Sequence, residues 1–142
     1  MADLAVEEVE APAGSEPWDQ RIRAVLTDVR AAALRHPGIA GHIASRPPLG
    51  PAGLRLAAVI MAALAEAGLS PADVVKASQA LIAYSAAGLR MAVEAGEPDE
   101  RWRQVNEALR GETPVAGSAE QFGYGLRLLL NGIRQEATAA RS

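Results

Sequence analysis

The stretch from Val74 to Val93 contains only two charged residues, Lys76 and Arg90. It follows the sequence Ser-Pro-Ala-Asp at positions 70–73, which is a helix start signal because the serine hydroxyl can cap the first free N–H groups. The pattern predicts a long helix from residue 71 to about residue 95. A helix that is apolar on nearly all sides must be covered on most of them. This helix is therefore central to the fold, or a second chain covers one of its faces.

Apolar residues with helical spacing also predict helices elsewhere in the chain. Pro37 and Gly68 are expected helix ends, Pro51 suits a first turn, and Ser118 begins a capping box. Apolar residues make up 49% of the chain, alanine supplies much of that share, and β-branched residues are sparse, which favours helix over strand. We therefore predict an all-α fold of about six helices, at residues 2–11, 17–36, 51–67, 71–95, 98–110 and 118–139.

Two of these helices have clear amphipathic faces. In helix 17–36 the predicted inward side chains are Ile22, Val25, Leu26, Val29 and Ala33, and the opposite, polar face includes Arg21 and Arg30. In helix 98–110 the predicted inward side chains are Trp102, Val105 and Leu109.

Glycines in the last two long helices indicate close helix packing. A glycine costs about 1 kcal/mol relative to alanine in a helix interior, so its presence needs a reason. Gly125 and Gly132 lie on one side of the last helix, and Gly88 lies in the preceding long helix. A symmetric homodimer would explain them, although packing within one chain is the alternative. The predicted interface consists of Leu81, Gly88, Leu89, Ala92, Phe122, Gly125, Leu126, Leu129, Gly132 and Ile133.

Composition argues against several classes of function. The chain has no cysteine and only two histidines, and it shows no phosphate-binding glycine loop or metal motif. We therefore expect no enzyme, no catalytic residue, no metal and no cofactor. The net charge is −3 and the arginines are scattered, so the basic face typical of DNA readers is not apparent. No signal peptide or membrane-spanning run is recognisable, and a cytoplasmic protein is expected.

Three segments, in order, resemble the C-terminal domain of tetracycline-repressor (TetR/AcrR) family regulators. They are Ser45–Pro51, with the sequence SRPPLGP, Ala65–Pro71, with the sequence AEAGLSP, and Phe122–Ile133, with the sequence FGYGLRLLLNGI. The resemblance covers residues 15–135. It implies an all-α core with a ligand cavity between helices, and dimerisation of the two long helices through a four-helix bundle.

The resemblance also suggests ligand-binding residues. His42 lies three residues before Ser45, where the family's tetracycline binder has a histidine for the magnesium–drug chelate. Val25 falls where that binder has a drug-anchoring amide, so tetracycline itself is not the expected ligand. Met61, Tyr84 and Trp102 are further candidates, because ligand pockets are mostly apolar with a few polar groups; ordinary core filling is the alternative for each. We expect a small, largely apolar effector.

Family members begin with a helix-turn-helix DNA-binding module. Here residues 1–14 resemble the tail of a connecting helix and a linker, residues 15–142 the ligand-binding and dimerisation domain, and the module itself is expected to be absent. Three explanations would account for this: a divergent core that functions alone, a truncated gene or a misassigned start codon, or a chain that was deliberately shortened. Three functions remain open: an effector-binding core that meets DNA only through a full-length partner, a structural dimerisation module without a ligand, and a DNA binder that uses an unconventional surface.

Overall fold

The computed structural model describes residues 16–36, 50–95, 100–109 and 117–140. Five α-helices and no strands occur in these residues. In chain order they are α1 (Trp18–Leu34), α2 (Pro51–Ala67), α3 (Pro71–Ala95), α4 (Glu100–Ala108) and α5 (Ala119–Ala140). The all-α prediction is confirmed, and these five helices agree with the predicted bounds to within two residues. The predicted helix 2–11 lies outside the described residues.

The helix ends follow from local chemistry. Gly68 ends α2 with a φ of 107°, a left-handed conformation that glycine adopts without steric cost. The Ser70 hydroxyl accepts a hydrogen bond from the Asp73 N–H at 3.2 Å, which caps the start of α3. The Ser118 hydroxyl accepts from the Gln121 N–H at 3.2 Å and caps α5 in the same way. These caps were predicted and are confirmed.

Four of the described helices surround one apolar core. α1 packs against α2 and α3, α2 packs against α3, and α5 closes the core by contacting α3 and α1. The most deeply buried large side chains come from all four of these helices: Ile22, Val25, Leu64, Leu81, Leu126 and Leu130. Each side chain of this kind stabilises the fold by about 1.5–3 kcal/mol through its removal from water.

Two predictions about helix faces are wrong. Arg21 was assigned to the polar face of α1 but is only 6% exposed, because its guanidinium forms an ion pair with Glu66 of α2. Val105 and Leu109, predicted to point inward, are 52% and 54% exposed, since none of the described helices packs closely on α4. The third predicted inward residue of that helix, Trp102, has a side chain outside the described part of the structure.

Candidate functional site

A polar and aromatic cluster lies where α1, α3 and α5 meet. The rings of Tyr84, on α3, and Phe122, on α5, stack with centroids 5.3 Å apart and an interplanar angle of 20°. The guanidinium carbon of Arg30, on α1, lies 5.6 Å from the centroid of the Phe122 ring. We call Arg30, Tyr84 and Phe122 the aromatic cluster. Stacked rings and a cation over a ring face each add about 0.5–1.5 kcal/mol beyond simple burial.

Glycines inside the protein make room for this cluster. The Tyr84 hydroxyl donates a hydrogen bond to the Phe122 carbonyl oxygen at 2.8 Å. A Cβ at Gly125 would overlap that hydroxyl and lie 2.8 Å from the Tyr84 Cζ atom. A Cβ at Gly88 would lie 3.0 Å from the Phe122 ring. Both glycines are therefore explained by packing within the chain, which was the alternative to a role in dimerisation.

Tyr84 and Arg30 are both affected by their surroundings. Burial raises the pKa of Tyr84 above its ordinary value, although the nearby charge of Arg30 and a backbone hydrogen bond from Leu126 act in the opposite direction. Burial lowers the pKa of Arg30 from its ordinary value. Both shifts favour the neutral form of each group, as expected for polar groups placed among apolar side chains.

Arg30 is held by a neutral partner. Its Nη2 atom donates to the Gly117 carbonyl oxygen at 2.5 Å, just before α5 begins. Its Nε atom is buried and has no hydrogen-bond partner, and no carboxylate among the described residues pairs with it. Arg30 thus contributes a positive charge to the cluster that the described part of the chain does not neutralise.

Of the four predicted ligand-binding residues, the structure places Tyr84 in the aromatic cluster. Met61 lies on α2 with 39% of its surface exposed and is not part of this cluster. His42 and the side chain of Trp102 lie outside the described residues. Arg30 was missed because helical periodicity assigns it to the solvent face of α1. No group of three potential metal ligands occurs among the residues that the structure describes.

Most predicted dimer-interface residues face the chain's own core. Leu81 and Leu126 have no exposed surface, and Leu89 and Phe122 are 3% and 5% exposed, so this chain already covers them. This differs from the expectation, because the apolar stripe of α5 packs against α3 and α1 of the same chain. Of the remaining predicted residues, Gly132 is exposed. The others are half-buried: Gly88, Ala92, Gly125, Leu129 and Ile133.

A second apolar surface lies on the outside of the same two helices. We define the outer face as the exposed residues Ala80, Ala83, Ala87, Tyr124, Leu128 and Gly132. Tyr124 and Leu128 are 58% and 53% exposed, and nothing lies within 4 Å of a Cβ built at Gly132. Between α3 and α5 this face opens into a groove of about 420 Å³. Its apolar lining includes Leu128, Leu129 and Ile133, and its charged residues are Asp73, Lys76 and Glu136.

Residues 11–118 match the protein family described as "Tetracyclin repressor-like, C-terminal domain". This chain belongs to that family. It is also 33% identical over 113 residues to an HTH-type transcriptional regulator of Saccharopolyspora erythraea, a match that covers 76% of the chain. The chain spans less than half of that relative, 45% of its length. The predicted family membership is confirmed.

Solved structures of the tetracycline repressor family have the same fold. The chain is similar to a possible TetR family transcriptional regulator of Streptomyces coelicolor A3(2), with a TM-score of 0.77 and 29% identity over 95% of this chain and 75% of that one. It is also similar in fold to the TetR family protein ActR of Streptomyces coelicolor in complex with (S)-DNPA, with a TM-score of 0.70 and 20% identity over 96% of this chain and 73% of that one. No helix in the described ranges is long and apolar enough to cross a membrane.

Proposed function

We propose that this chain is the effector-binding and dimerisation core of a TetR-family transcriptional regulator. The observation that carries the proposal is the aromatic cluster, which places a phenol, an aromatic ring and a guanidinium at the junction of three helices in an otherwise apolar interior. Ligand pockets are mostly apolar with a few polar groups that fix orientation. The cluster has this composition, and α1, α3 and α5 can each respond to what binds there.

The proposed effector is small and largely apolar, and Tyr84 is the first residue assigned to its site. His42, Met61 and Trp102 stay predicted contacts. Support comes from the similarity in fold to a family protein that is found in complex with a small molecule, (S)-DNPA. Binding that favours one helix arrangement would shift the population of two conformations, which is how such a core can regulate.

A thermal-shift screen of apolar and aromatic compounds tests the effector. A ligand at 100 times its Kd should raise the free energy of unfolding by about 2.7 kcal/mol. The variant Tyr84→Leu should lose this stabilisation, because the ring that contacts the ligand is gone. The control Leu54→Ala truncates a side chain that is 58% exposed on α2, outside both the aromatic cluster and the outer face, and it should retain the stabilisation. Stabilisation by no compound would favour the alternative, a structural dimerisation module or heteromeric partner without a small-molecule ligand.

The proposed homodimer uses the outer face. α3 and α5 of two copies would form a four-helix bundle, with the alanines of α3 and Gly132 allowing close approach and Leu128 contributing apolar area. This assignment replaces the buried residues of the predicted interface by exposed residues of the same two helices. An isologous contact of this kind is the commonest arrangement of soluble oligomers.

Sedimentation velocity tests the dimer with two matched variants. Leu128→Glu places a charge on the outer face and should shift the protein to monomer. Leu54→Glu alters a leucine of similar exposure, 58% against 53%, that lies on α2 away from this face, and it should leave the dimer intact. A monomeric wild-type protein, or equal effects of the two variants, would contradict the assignment.

Contact with DNA is proposed to require a helix-turn-helix module, whether in the same protein or in a full-length partner. The division into residues 1–14 and 15–142 stays a prediction, as do a cytoplasmic location and the expectation that the protein is not an enzyme. A gel-shift assay at moderate salt tests whether contact with DNA requires the helix-turn-helix module. Specific duplex binding by residues 1–142 alone would contradict it.

A further inference from the structure

Arg30 and Arg21 differ in how their charges are balanced. Arg21, on the same helix, is 6% exposed and forms an ion pair with the Glu66 carboxylate. Arg30 is half-buried, and the partners that the structure describes are the Gly117 carbonyl and the ring of Phe122. Carbonyls and rings attract a cation, but neither carries the negative charge that would compensate it.

An uncompensated guanidinium inside a protein is costly. Buried charges are normally paired, because transfer out of water disfavours the charged form. A buried donor without an acceptor adds to this cost, and the Arg30 Nε atom is such a donor, as is the Nε atom of Arg21. The protein therefore retains this cation at a cost, beside the stacked rings of Tyr84 and Phe122.

We propose that Arg30 binds a carboxylate group of the effector. The proposal rests on the proposed effector-binding function and specifies its ligand class: one carboxylate on an apolar or aromatic body. A guanidinium matches a carboxylate in shape and can donate two parallel hydrogen bonds to it. One carboxylate balances the single charge of Arg30, whereas a phosphate, with a second charge, would leave an uncompensated anion among apolar side chains.

The Arg30 guanidinium has enough hydrogen-bond donors to bind a carboxylate. The guanidinium carries five N–H donors, and the structure shows one hydrogen bond from it, to the Gly117 carbonyl. That bond ties α1 to the residue just before α5 starts. A carboxylate competes well with a neutral carbonyl for the same donor, because charge-assisted hydrogen bonds are about twice as strong. Ligand binding would then alter the contact between α1 and the start of α5, one of the two helices of the proposed dimer.

Matched pairs of compounds test the proposal by isothermal titration calorimetry at pH 7. The probes are phenylacetate, 2-naphthylacetate and decanoate, each compared with its neutral carboxamide. We expect at least one carboxylate to bind tenfold or more tightly than its amide. In Arg30→Gln this preference should disappear, and in Arg30→Lys part of it should remain.

Arg127→Gln is the matched control. The Arg127 guanidinium carbon lies 5.0 Å from the Tyr124 ring centroid, so it is also a cation over an aromatic ring, but both residues are exposed. The preference for carboxylates should be unchanged in this variant. If Arg30→Gln does not fold, the preference for carboxylates over amides is compared among wild type, Arg30→Lys and Arg127→Gln. A preference that falls in Arg30→Lys alone would then support the role of Arg30.

The outcomes separate this proposal from the one on which it rests. Amides that bind as tightly as their carboxylates, or a preference that survives Arg30→Gln, would overturn the role of Arg30 and leave effector binding intact. Equal loss of preference in Arg127→Gln would also overturn it, since a general effect of positive charge would then explain the result. If none of these carboxylates or amides binds, and no compound of the thermal-shift screen stabilises the protein, both the role of Arg30 and the proposed effector binding would be overturned.

Discussion

The two ends of α1 use the same residue type in different ways. At its start, Arg21 is buried and its charge is matched by Glu66 on α2. Arg21 and Arg30 are nine residues apart, which is about two and a half turns, since a helix turns every 3.6 residues. At the later position, Arg30 lies against Phe122 and donates to a neutral carbonyl. The buried Nε atoms of both arginines lack a hydrogen-bond partner, so the two ends differ in one respect: a described carboxylate balances the charge of Arg21, and none balances that of Arg30.

This difference separates structural from functional charge. A buried cation with a carboxylate partner on another helix, such as Arg21, links two helices, and its charge is compensated. A half-buried cation without a carboxylate partner, such as Arg30, is a cost that stability alone does not explain, and groups with a perturbed pKa are enriched at functional sites. Substitutions at each end of α1 therefore test whether Arg21 and Arg30 differ in this way.

The largest expected effect is at the Arg30 end, from Gly125→Ala. The added methyl overlaps the Tyr84 hydroxyl, so the ring must move and its hydrogen bond to the Phe122 carbonyl is lost. We expect a loss of about 2–3 kcal/mol in the free energy of unfolding, since overpacking outweighs the gain in helix propensity. Urea denaturation measures it.

The control for this change is Gly123→Ala. Gly123 lies on the same helix, and nothing lies within 4 Å of a Cβ built there. Without a steric cost, the better helix propensity of alanine should stabilise the protein by about 0.5–1 kcal/mol. Equal effects of the two substitutions would show that Gly125 is not packed against Tyr84.

The next effect is at the Arg21 end, from Glu66→Gln. Removing the carboxylate leaves the buried Arg21 guanidinium without its counter-ion, which is the situation that Arg30 already has. Breaking a fully buried pair costs about 3–5 kcal/mol, but 59% of the Glu66 side chain is exposed, so we expect about 1–2 kcal/mol. Glu94→Gln, at an exposed position of α3, should change stability by less than about 0.5 kcal/mol. No difference between the two would mean that Arg21 does not depend on Glu66.

Sequence reasoning was accurate where the determinants are local. The ends of α2, α3 and α5 could be predicted because Gly68, Ser70 and Ser118 act on backbone groups a few residues away. It failed where the determinant lies on another helix. Periodicity assigns Arg21 to the solvent face, since nothing near it in sequence reveals that Glu66 will lie opposite.

The candidate site was predictable only in part, for the same reason. Tyr84 was identified by its residue type, and the glycines of α5 were recognised as a sign of close packing. Which surface they served could not be decided, because α5 has an apolar stripe toward its own chain and small residues on the opposite face. The side chain that fits over Gly125 comes from α3, and only the tertiary structure brings Tyr84 there.

A smaller effect is expected from Tyr84→Phe, which removes the hydroxyl and retains the ring. Loss of the hydrogen bond to the Phe122 carbonyl should cost about 1 kcal/mol at pH 7. The pKa of Tyr84 is raised above 10.0 in the folded protein, so its contribution is fully present below that pH and is lost as the pH rises through the folded-state value. The variant should therefore lose less stability than wild type as the pH rises above about 10.

Urea denaturation across that pH range provides the measurement. The control is Tyr124→Phe, which removes an exposed phenol and should leave the pH dependence of wild type unchanged. If Tyr84→Phe and wild type lost stability in parallel above pH 10, the phenol of Tyr84 would not be held in its neutral form by burial, and the description of the cluster as a desolvated site would lose its support.

The smallest effect comes from a third arginine, which is paired but exposed. Arg134 of α5 donates to Asp19 of α1 at 2.6 Å, and its guanidinium carbon lies 5.5 Å from the Trp18 ring centroid. Half of the Arg134 side chain is exposed, so water and salt screen the pair, and Asp19→Asn should cost only about 0.5 kcal/mol. Unfolding at low salt and in 1 M NaCl distinguishes the two ion pairs: the cost of Asp19→Asn should shrink with salt, whereas that of Glu66→Gln should largely persist because Arg21 is buried. Equal salt dependence would mean that burial does not distinguish the two pairs, and the contrast drawn between Arg21 and Arg30 would then need another basis.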